Sequence, residues 1–125
     1  MGLKYLFDTN IFIAQIVNDP KAVEFFSPSF ISQNEIITSQ IVRMELLSYP
    51  SITLQAETII KLLLDEFEVI LIDDDIESEA INLRRNFKIK LPDAIIAATS
   101  IVEKAELVTF NTKDFSKIKE LKLYK

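Results

Sequence analysis

Short apolar runs alternate along this chain with longer segments of helical periodicity, a pattern typical of strand–helix–strand units and a parallel sheet. The apolar runs predict four strands and a weak fifth, at residues 4–7, 35–38, 68–72, 107–110 and 121–123. The periodic segments predict six helices, at residues 11–17, 20–26, 40–47, 51–67, 76–87 and 92–102. Because no repeat, low-complexity tract or linker interrupts the pattern, residues 1–125 are expected to form a single domain.

Polar residues and prolines indicate where these helices begin and end. Asp8-Thr9-Asn10 follows the first strand and can cap the first helix, and Ser39 can cap the third. Asp19-Pro20 is expected to start the second helix, and Ser27-Pro28 to end it. In the longest helical pattern the large apolar residues are expected to share one broad face: Leu54, Ile59, Leu62 and Leu63.

The composition removes several kinds of chemistry. The chain has no His, no Cys and a single Gly. Imidazole bases, thiolate nucleophiles, soft-metal sites and glycine-cradled phosphates are therefore excluded, and the chemistry of hard cations on carboxylate oxygens remains. With 49% apolar and 26% charged residues and no apolar run long enough to cross a bilayer, the protein is expected to be globular. The absence of cysteine fits the reducing cytoplasm, which is the expected location.

The charge balance bears on nucleic-acid binding. A net charge of -5 argues against a protein that grips nucleic acid over its whole surface, because phosphate binding depends on Lys and Arg. Local clusters can still differ from this mean. Four basic residues precede Asp93 and one lies close to Asp114: Arg84, Arg85, Lys88, Lys90 and Lys113. They are candidates for RNA binding, and a solvated basic face is an equally open interpretation.

Four carboxylates lie at the edges of apolar segments: Asp8, Glu45, Asp93 and Asp114. In open parallel sheets ligands gather beyond the carboxyl ends of the strands, where helix N-termini also point. Asp8 follows the first strand, Asp114 lies after the fourth, and Asp93 begins a helix. Local structure offers alternatives, since Asp8 can cap a helix, Asp93 can interact with the helix dipole, and Asp114 can form an Asx-type turn.

Glu45 is the hardest of the four to explain by local structure. It lies in the middle of a helix with an apolar flank, and burying an unpaired carboxylate costs several kcal/mol. A nearby cation is therefore expected, either a metal ion or a basic side chain such as Arg43 or Lys61. A different acidic run, Asp73-Asp74-Asp75, begins a predicted helix and is interpreted as capping and dipole residues.

Four segments, in order along nearly the whole chain, resemble the PIN-domain family, and in particular the VapC-type toxin ribonucleases of toxin–antitoxin pairs. The segments are Leu6-Phe-Asp-Thr-Asn10, Arg43-Met-Glu-Leu-Leu47, Leu91-Pro-Asp-Ala-Ile-Ile-Ala-Ala98 and Leu107-Val-Thr-Phe-Asn-Thr-Lys-Asp-Phe115. Each is weak alone, and four in register are a strong signal. The resemblance implies a three-layer α/β/α fold with a four- or five-stranded parallel sheet.

The resemblance also implies roles for individual residues. Asp8, Glu45 and Asp93 become metal-binding acids, with Asn10 and Thr109 in support. Many relatives have a carboxylate where this chain has Asn111. Either Asp114 completes the catalytic site, or Asn111 contributes a neutral ligand.

The resulting hypothesis is an endoribonuclease that depends on Mg²⁺ or Mn²⁺, with two ions, and that hydrolyses RNA phosphodiester bonds. The resemblance implies two protein partners, an antitoxin that blocks the site and a second copy of the chain in a homodimer. One alternative is a non-catalytic PIN-like domain that binds RNA or protein. A receiver-type phosphoacceptor domain would need a Lys at the end of a late strand, whereas the fourth predicted strand ends in Phe-Asn-Thr before Lys113.

Overall fold

A computed structural model describes residues 2–124; Met1 and Lys125, which the predicted domain includes, lie outside the described residues. Four strands form one sheet: β1 (Lys4–Phe7), β2 (Glu35–Ser39), β3 (Glu68–Ile70) and β4 (Glu106–Val108). All the strand pairs are parallel and the order across the sheet is β3-β2-β1-β4. The predicted α/β class and parallel sheet are therefore confirmed, and β1 has the predicted bounds.

Within residues 2–124 seven α-helices flank this sheet: α1 (Thr9–Ile16), α2 (Pro28–Gln33), α3 (Gln40–Leu47), α4 (Leu54–Leu64), α5 (Asp74–Asn86), α6 (Leu91–Glu103) and α7 (Thr112–Phe115). Polar caps begin several of them, as predicted for α3, where the Ser39 hydroxyl accepts a hydrogen bond from the N–H of Ile41 at 3.3 Å. No helix within residues 2–124 combines the length and the apolar character needed to cross a membrane.

The segment between α1 and β2 differs from the prediction. The helix expected over residues 20–26 is wrong, because only a 3-10 turn at Pro20–Ala22 forms. Ser27 and Pro28 do not end a helix but begin α2, where the Ser27 hydroxyl accepts from the N–H of Phe30 at 3.3 Å. Proline is favourable at this position because the first turn of a helix does not use its own N–H groups. The same two residues thus start a helix as readily as they end one.

Helix α4 also differs from the prediction, both in length and in its buried face. Thr53 caps it by accepting from the N–H of Ala56 at 3.0 Å, so the helix begins three residues later than the predicted pattern. The predicted apolar face is wrong for three of its four residues, because Leu54 is 79% exposed, Leu62 is 64% exposed and Ile59 is exposed as well, whereas Leu63 packs against the core. Ile60 and Leu64 are buried instead. A helix that is apolar on several sides does not reveal by periodicity alone which side packs.

At the edge of the sheet, the weak fifth strand over residues 121–123 is reduced to a single parallel bridge between Leu107 and Leu123. The N–H of Leu107 donates to the carbonyl of Lys122 at 2.8 Å, and the N–H of Tyr124 donates to the carbonyl of Leu107 at 2.9 Å. The sheet is thus four-stranded, with this last segment covering the outer edge of β4. Strand β4 itself ends at Val108, two residues earlier than predicted, which leaves Thr109 free for other contacts.

The core around β1 is unusually aromatic. The ring of Phe7 is fully buried, and five other rings have their centroids between 5.4 and 6.3 Å from it. We call the six side chains the aromatic cluster: Phe7, Phe12, Phe25, Phe26, Phe30 and Phe67. Most of these pairs meet at steep angles, the edge-to-face arrangement that the ring quadrupole favours. The cluster fixes the end of β1, where the first candidate acid begins.

Candidate functional site

Asp8 is the buried centre of the candidate site. It follows β1 directly and is only 6% exposed, and its N–H donates to the carbonyl of Val108 at the end of β4 at 3.0 Å. The Asp8 carboxylate caps α1, because Oδ1 accepts from the N–H of Thr9 at 2.7 Å. The capping role that local structure suggested is therefore real, but it uses only one of the two carboxylate oxygens.

Thr109 satisfies the second oxygen of Asp8. Its hydroxyl donates to Oδ2 of Asp8 at 2.7 Å. The same hydroxyl oxygen accepts from the side-chain amide of Asn10 at 3.2 Å and from the N–H of Asn111 at 3.0 Å. Since all these groups come from the ends of two neighbouring parallel strands, the early end of β4 is what brings Thr109 to Asp8.

Glu45 reaches the same region from α3. It is half-buried, and its Oε1 accepts from the hydroxyl of Thr9 at 2.6 Å. The interpretation that Arg43 or Lys61 neutralises it is wrong for the described residues 2–124, in which no salt bridge involves Glu45 and Lys61 pairs with Glu57 at 3.0 Å. The half-buried carboxylate of Glu45 therefore has a hydroxyl partner but no cationic one.

Asp93 comes from the N-terminus of α6, which lies largely in the interior. Ala94, Ala97 and Ala98 are fully buried and Ile96 is 1% exposed, so the helix is enclosed from its first turn onward. Asp93 is half-buried, and like Glu45 it forms no salt bridge within residues 2–124. The nearly apolar sequence of α6 thus holds this carboxylate at the boundary of the core.

Asp114 lies on the short helix α7 and is exposed. Its Oδ2 accepts from the side-chain amide of Asn111 at 2.9 Å. The Asn111 amide group is therefore engaged by Asp114, and its N–H by Thr109. This arrangement favours Asn111 as the residue that orients the Asp114 carboxylate.

The pKa values indicate that these acids influence one another. The pKa of Asp8 is raised to about 6, mainly by burial and also by the charges of Asp93 and Glu45, whereas the hydrogen bonds from Thr109 and Thr9 act in the opposite direction. Burial is also the largest cause that raises the pKa of Asp93, followed by the charges of Glu45 and Asp114. Lys90 and Lys117 act on the Asp93 pKa in the opposite direction. All four predicted acids are thus coupled through their charges.

One chemical and one geometric observation bear on whether these four acids could hold a metal ion. Chemically, four carboxylates that form no salt bridge within residues 2–124 are the oxygen donors that Mg²⁺ and Mn²⁺ prefer, and a cation would relieve their mutual repulsion. Geometrically, no three acidic side chains among residues 2–124 lie in positions from which they could share one ion. A shared cation therefore requires side-chain rotation of at least one of these acids.

The other predicted residues lie as follows. Asp73 caps α5 by accepting from the N–H of Ile76 at 2.9 Å, and Asp74 and Asp75 occupy the first turn, which confirms their interpretation as capping and dipole residues. All five candidate RNA-binding residues are exposed. Arg84, Lys88 and Lys90 line one shallow depression next to Asp93, and Arg85 and Lys113 lie outside it.

Sequence reasoning missed Thr9 and Lys117. Thr9 connects the first and second acids, since its N–H binds Asp8 and its hydroxyl binds Glu45. Thr9 could have been found from the sequence, because it lies between Asp8 and Asn10 in the first motif segment. Lys117, which lowers the pKa of Asp93 and donates to the carbonyl of Lys88, carried no signal beyond being one of several C-terminal lysines.

Solved structures of other proteins resemble this chain along nearly its whole length, and three of them are described here. A toxin-antitoxin complex from Klebsiella pneumoniae has a chain 38% identical to this one, over 94% of each chain, with a TM-score of 0.73. VapBC2 from Rickettsia felis, bound to a DNA fragment from their promoter, is 28% identical over 98% of each chain, with a TM-score of 0.86. VapBC-1 from nontypeable Haemophilus influenzae is 25% identical over 98% of this chain and 97% of that one, with a TM-score of 0.83.

A comparison of this chain with curated proteins found no match. The model of the PIN domain matches residues 5–121, a span that includes all four predicted motif segments. This chain belongs to the PIN-domain family.

Proposed function

We propose that this protein is an endoribonuclease that depends on Mg²⁺ or Mn²⁺ and acts as the toxin of a toxin–antitoxin pair. One observation carries the proposal: Asp8, Glu45 and Asp93 come from three separate segments, form no salt bridge within residues 2–124, and lie close enough at the carboxyl edge of the sheet that the charges of Glu45 and Asp93 help to raise the pKa of Asp8. A protein keeps such repulsion where the charges serve a ligand. The ligand that matches oxygen donors of this charge is a divalent cation.

Asp8, Glu45 and Asp93 would hold the cation, with Asp114 at the exposed side. A bound divalent cation supplies positive charge to a phosphodiester and lowers the pKa of a nearby water. In the hydrolysis a water oxygen bonds to phosphorus, the bond from phosphorus to the leaving ribose oxygen breaks, and that oxygen takes up a proton. No imidazole is needed for such a reaction, which agrees with a chain that lacks His.

The surrounding residues orient the acids. The Thr109 hydroxyl and the Thr9 N–H hold the two oxygens of Asp8, and the Asn111 amide holds Asp114. These hydrogen bonds fix the donor atoms before a cation arrives, as outer-shell partners of metal ligands do. Lys90, close enough to lower the pKa of Asp93, would hold the RNA backbone together with Arg84, Arg85, Lys88 and Lys113.

The proposed partners follow from the similar structures, which are described as toxin–antitoxin or VapBC complexes. By this likeness an antitoxin would bind the protein and block the acidic site. A homodimer remains the expected state of the chain. Size-exclusion chromatography with light scattering, on the protein alone and after coexpression with an adjacent small reading frame, would measure both assemblies.

The decisive experiment measures cleavage of unstructured oligoribonucleotides by the purified protein in Mg²⁺, Mn²⁺ or EDTA. We expect cleavage only with a divalent cation. Asp8→Asn and Asp93→Asn should each lower it about 100-fold or more, because even outer-shell partners of a metal typically contribute about 10- to 100-fold. Asp65→Asn is the matched control, since Asp65 is an exposed carboxylate at the C-terminal end of α4 and is not one of the four candidate acids. Near-normal cleavage by both site variants would refute the metal assignment.

A second candidate function is a non-catalytic PIN-like domain that binds RNA or protein. One observation favours it: no three acidic side chains among the described residues lie where they could share an ion. Calorimetric titration with Mn²⁺ separates the two candidates. A nuclease should bind Mn²⁺, and Asp8→Asn should weaken that binding; absence of binding by the wild-type protein would favour the second candidate.

A further inference from the structure

Phe110 is an exposed aromatic residue beside the acidic site. The residue is 40% exposed, whereas Phe7, Phe12 and Phe115 are fully buried. It directly follows Thr109, whose hydroxyl binds Asp8 at 2.7 Å, and adjacent Cα atoms are only about 3.8 Å apart. Exposing part of a phenylalanine ring forgoes favourable burial, and here this happens within one residue of the site.

The backbone of Phe110 is held in place. Its N–H donates to the side-chain oxygen of Asn10 at 3.2 Å, and Asn10 also donates to the Thr109 hydroxyl. The ring itself meets only one member of the aromatic cluster, Phe25, with a centroid distance of 6.5 Å. The exposed ring is therefore attached to the same hydrogen-bonded network as Asp8.

A cation lies over this ring. The ammonium of Lys21 is 5.5 Å from the Phe110 centroid, within the range of a cation–π contact. The Lys21 backbone is fixed by its N–H, which donates to the Asp19 carboxylate at 3.0 Å. Because the Lys21 side chain is exposed, its ammonium can reach an anion without leaving the neighbourhood of the ring.

We propose that Phe110 and Lys21 form a nucleobase subsite. An unpaired base would displace the Lys21 ammonium from the Phe110 ring and stack there, and the displaced ammonium would contact the phosphate of that nucleotide. Aromatic rings beside a charged groove are the usual means of binding single-stranded nucleic acid, because every base has a π-face. A base inside a duplex is already covered on both faces, so this subsite would select RNA that is single-stranded next to the cleaved bond. The inference rests on the proposed ribonuclease function and names the form of its substrate.

The neighbourhood favours a nucleotide over a protein as the occupant of the ring. Protein-docking surfaces are contiguous apolar patches, whereas the Phe110 ring meets one apolar ring, that of Phe25, and its other described partners are polar or charged: Asn10, Lys21 and the adjacent Thr109. A base and its phosphate present an apolar face and a negative charge side by side. This pairing matches a ring with a lysine over it.

A fluorescence titration tests the subsite without cleavage, because the chain has no Trp. Phe110→Trp is combined with Asp93→Asn to slow cleavage and is titrated with an unstructured oligoribonucleotide or with a blunt RNA duplex of the same composition. We expect saturable quenching by the single strand and little by the duplex. Leu3→Trp on the same background is the control, since Leu3 is 56% exposed and lies before β1, at the opposite edge of the sheet, and its emission should not change.

Kinetics provide the second measurement. Phe110→Ala should raise KM for unstructured RNA about 5- to 150-fold, the equivalent of one stacked base, with kcat within about twofold. Phe110→Tyr should retain a KM close to that of the wild-type protein. Lys21→Ala should reduce the slope of log affinity against log salt by about 0.7, the value for one phosphate contact on a single strand.

The two proposals can fail separately. If the wild-type protein does not cleave RNA but the tryptophan signal is quenched by the single strand, the ribonuclease function is wrong and the subsite stands as an RNA-binding site. If cleavage is normal, Phe110→Ala leaves KM unchanged and saturating RNA does not quench the tryptophan, the subsite is wrong. A protein contact would then be the remaining explanation for the exposed ring.

Discussion

Two adjacent residues, Phe7 and Asp8, are the centres of two regions that contribute to the stability of the fold with opposite sign. Phe7 ends β1 and is surrounded by the five other rings of the aromatic cluster. Asp8 is almost as deeply buried, but its neighbours include two other carboxylates that raise its pKa. The alternation of side chains along a strand allows this, because neighbouring residues point to opposite sides. The first region stabilises the fold, and the second keeps a repulsion that a cation can relieve.

This contrast predicts that the two regions can be altered independently. A change in the aromatic cluster should lower stability without changing the affinity of the acids for a cation. A change among the acids should alter cation binding and leave the fold intact or even more stable. The following predictions test that separation, beginning with the largest expected effect.

Phe7→Ala should lower the free energy of unfolding by about 3–5 kcal/mol, since it leaves a cavity among five aromatic rings. Urea unfolding followed by circular dichroism measures this change. Phe7→Leu should have a smaller effect and keep enough folded protein for calorimetry with Mn²⁺. A fall of Mn²⁺ affinity in Phe7→Leu parallel to the fall in stability would show that the two regions are not separate.

Asp8→Asn should raise the free energy of unfolding at pH 7.5 in EDTA by about 2 kcal/mol. The pKa of Asp8 rises from 3.8 to about 6 on folding, and each unit corresponds to about 1.36 kcal/mol. Weaker hydrogen bonds from Thr109 and Thr9 to the amide offset about 1 kcal/mol of this gain.

The pH dependence of this effect has a definite sign. Between pH 4 and 6 the folded protein binds more protons at Asp8 than the unfolded chain does, so wild-type stability falls as pH rises through about 6. The advantage of Asp8→Asn should therefore disappear by pH 4.5. Urea unfolding at pH 4.5, 6 and 7.5 measures it, and an advantage that is constant with pH would contradict the raised pKa.

Thr9→Val should lower cleavage about tenfold, or about 1.4 kcal/mol, because it removes the hydroxyl that positions Glu45 and keeps the shape of the side chain. Thr9→Ser should restore cleavage, since it returns the hydroxyl. A positioning role predicts that Mn²⁺ affinity, measured by calorimetry, falls with the rate while the urea midpoint changes little. If Thr9→Val and Thr9→Ser behave alike, the hydroxyl has no such role.

Much of the fold could be predicted from local sequence. The apolar residues of β1, the Ser39 cap of α3 and the acidic first turn of α5 each depend on a few neighbouring residues, and all three were predicted correctly. Helix α4 and the segment at Ser27-Pro28 were not, because their local patterns fit more than one arrangement. For those segments, contacts with distant residues decided the outcome.

The candidate site, like the fold, could be predicted from the sequence only in part. The sequence identified Asp8, Glu45, Asp93 and Asp114 as candidates, since a carboxylate at the edge of an apolar segment is visible in the chain itself. It did not identify the hydroxyl of Thr9 as the partner of Glu45, nor the amide of Asn111 as the partner of Asp114. A hydrogen bond depends on distances of a few tenths of an ångström, which no residue pattern specifies.

The sequence by itself determined the parallel α/β class, the family and the acids available for chemistry, because periodicity and residue type carry that information locally. Only the tertiary structure decided that β4 ends early enough for Thr109 to reach Asp8, and that the Phe110 ring stays exposed beside it. The physical reason is that the hydrogen bonds of Thr109 with Asp8 and of Phe110 with Asn10 join residues about a hundred positions apart. Their separation is fixed by the packing of the whole chain.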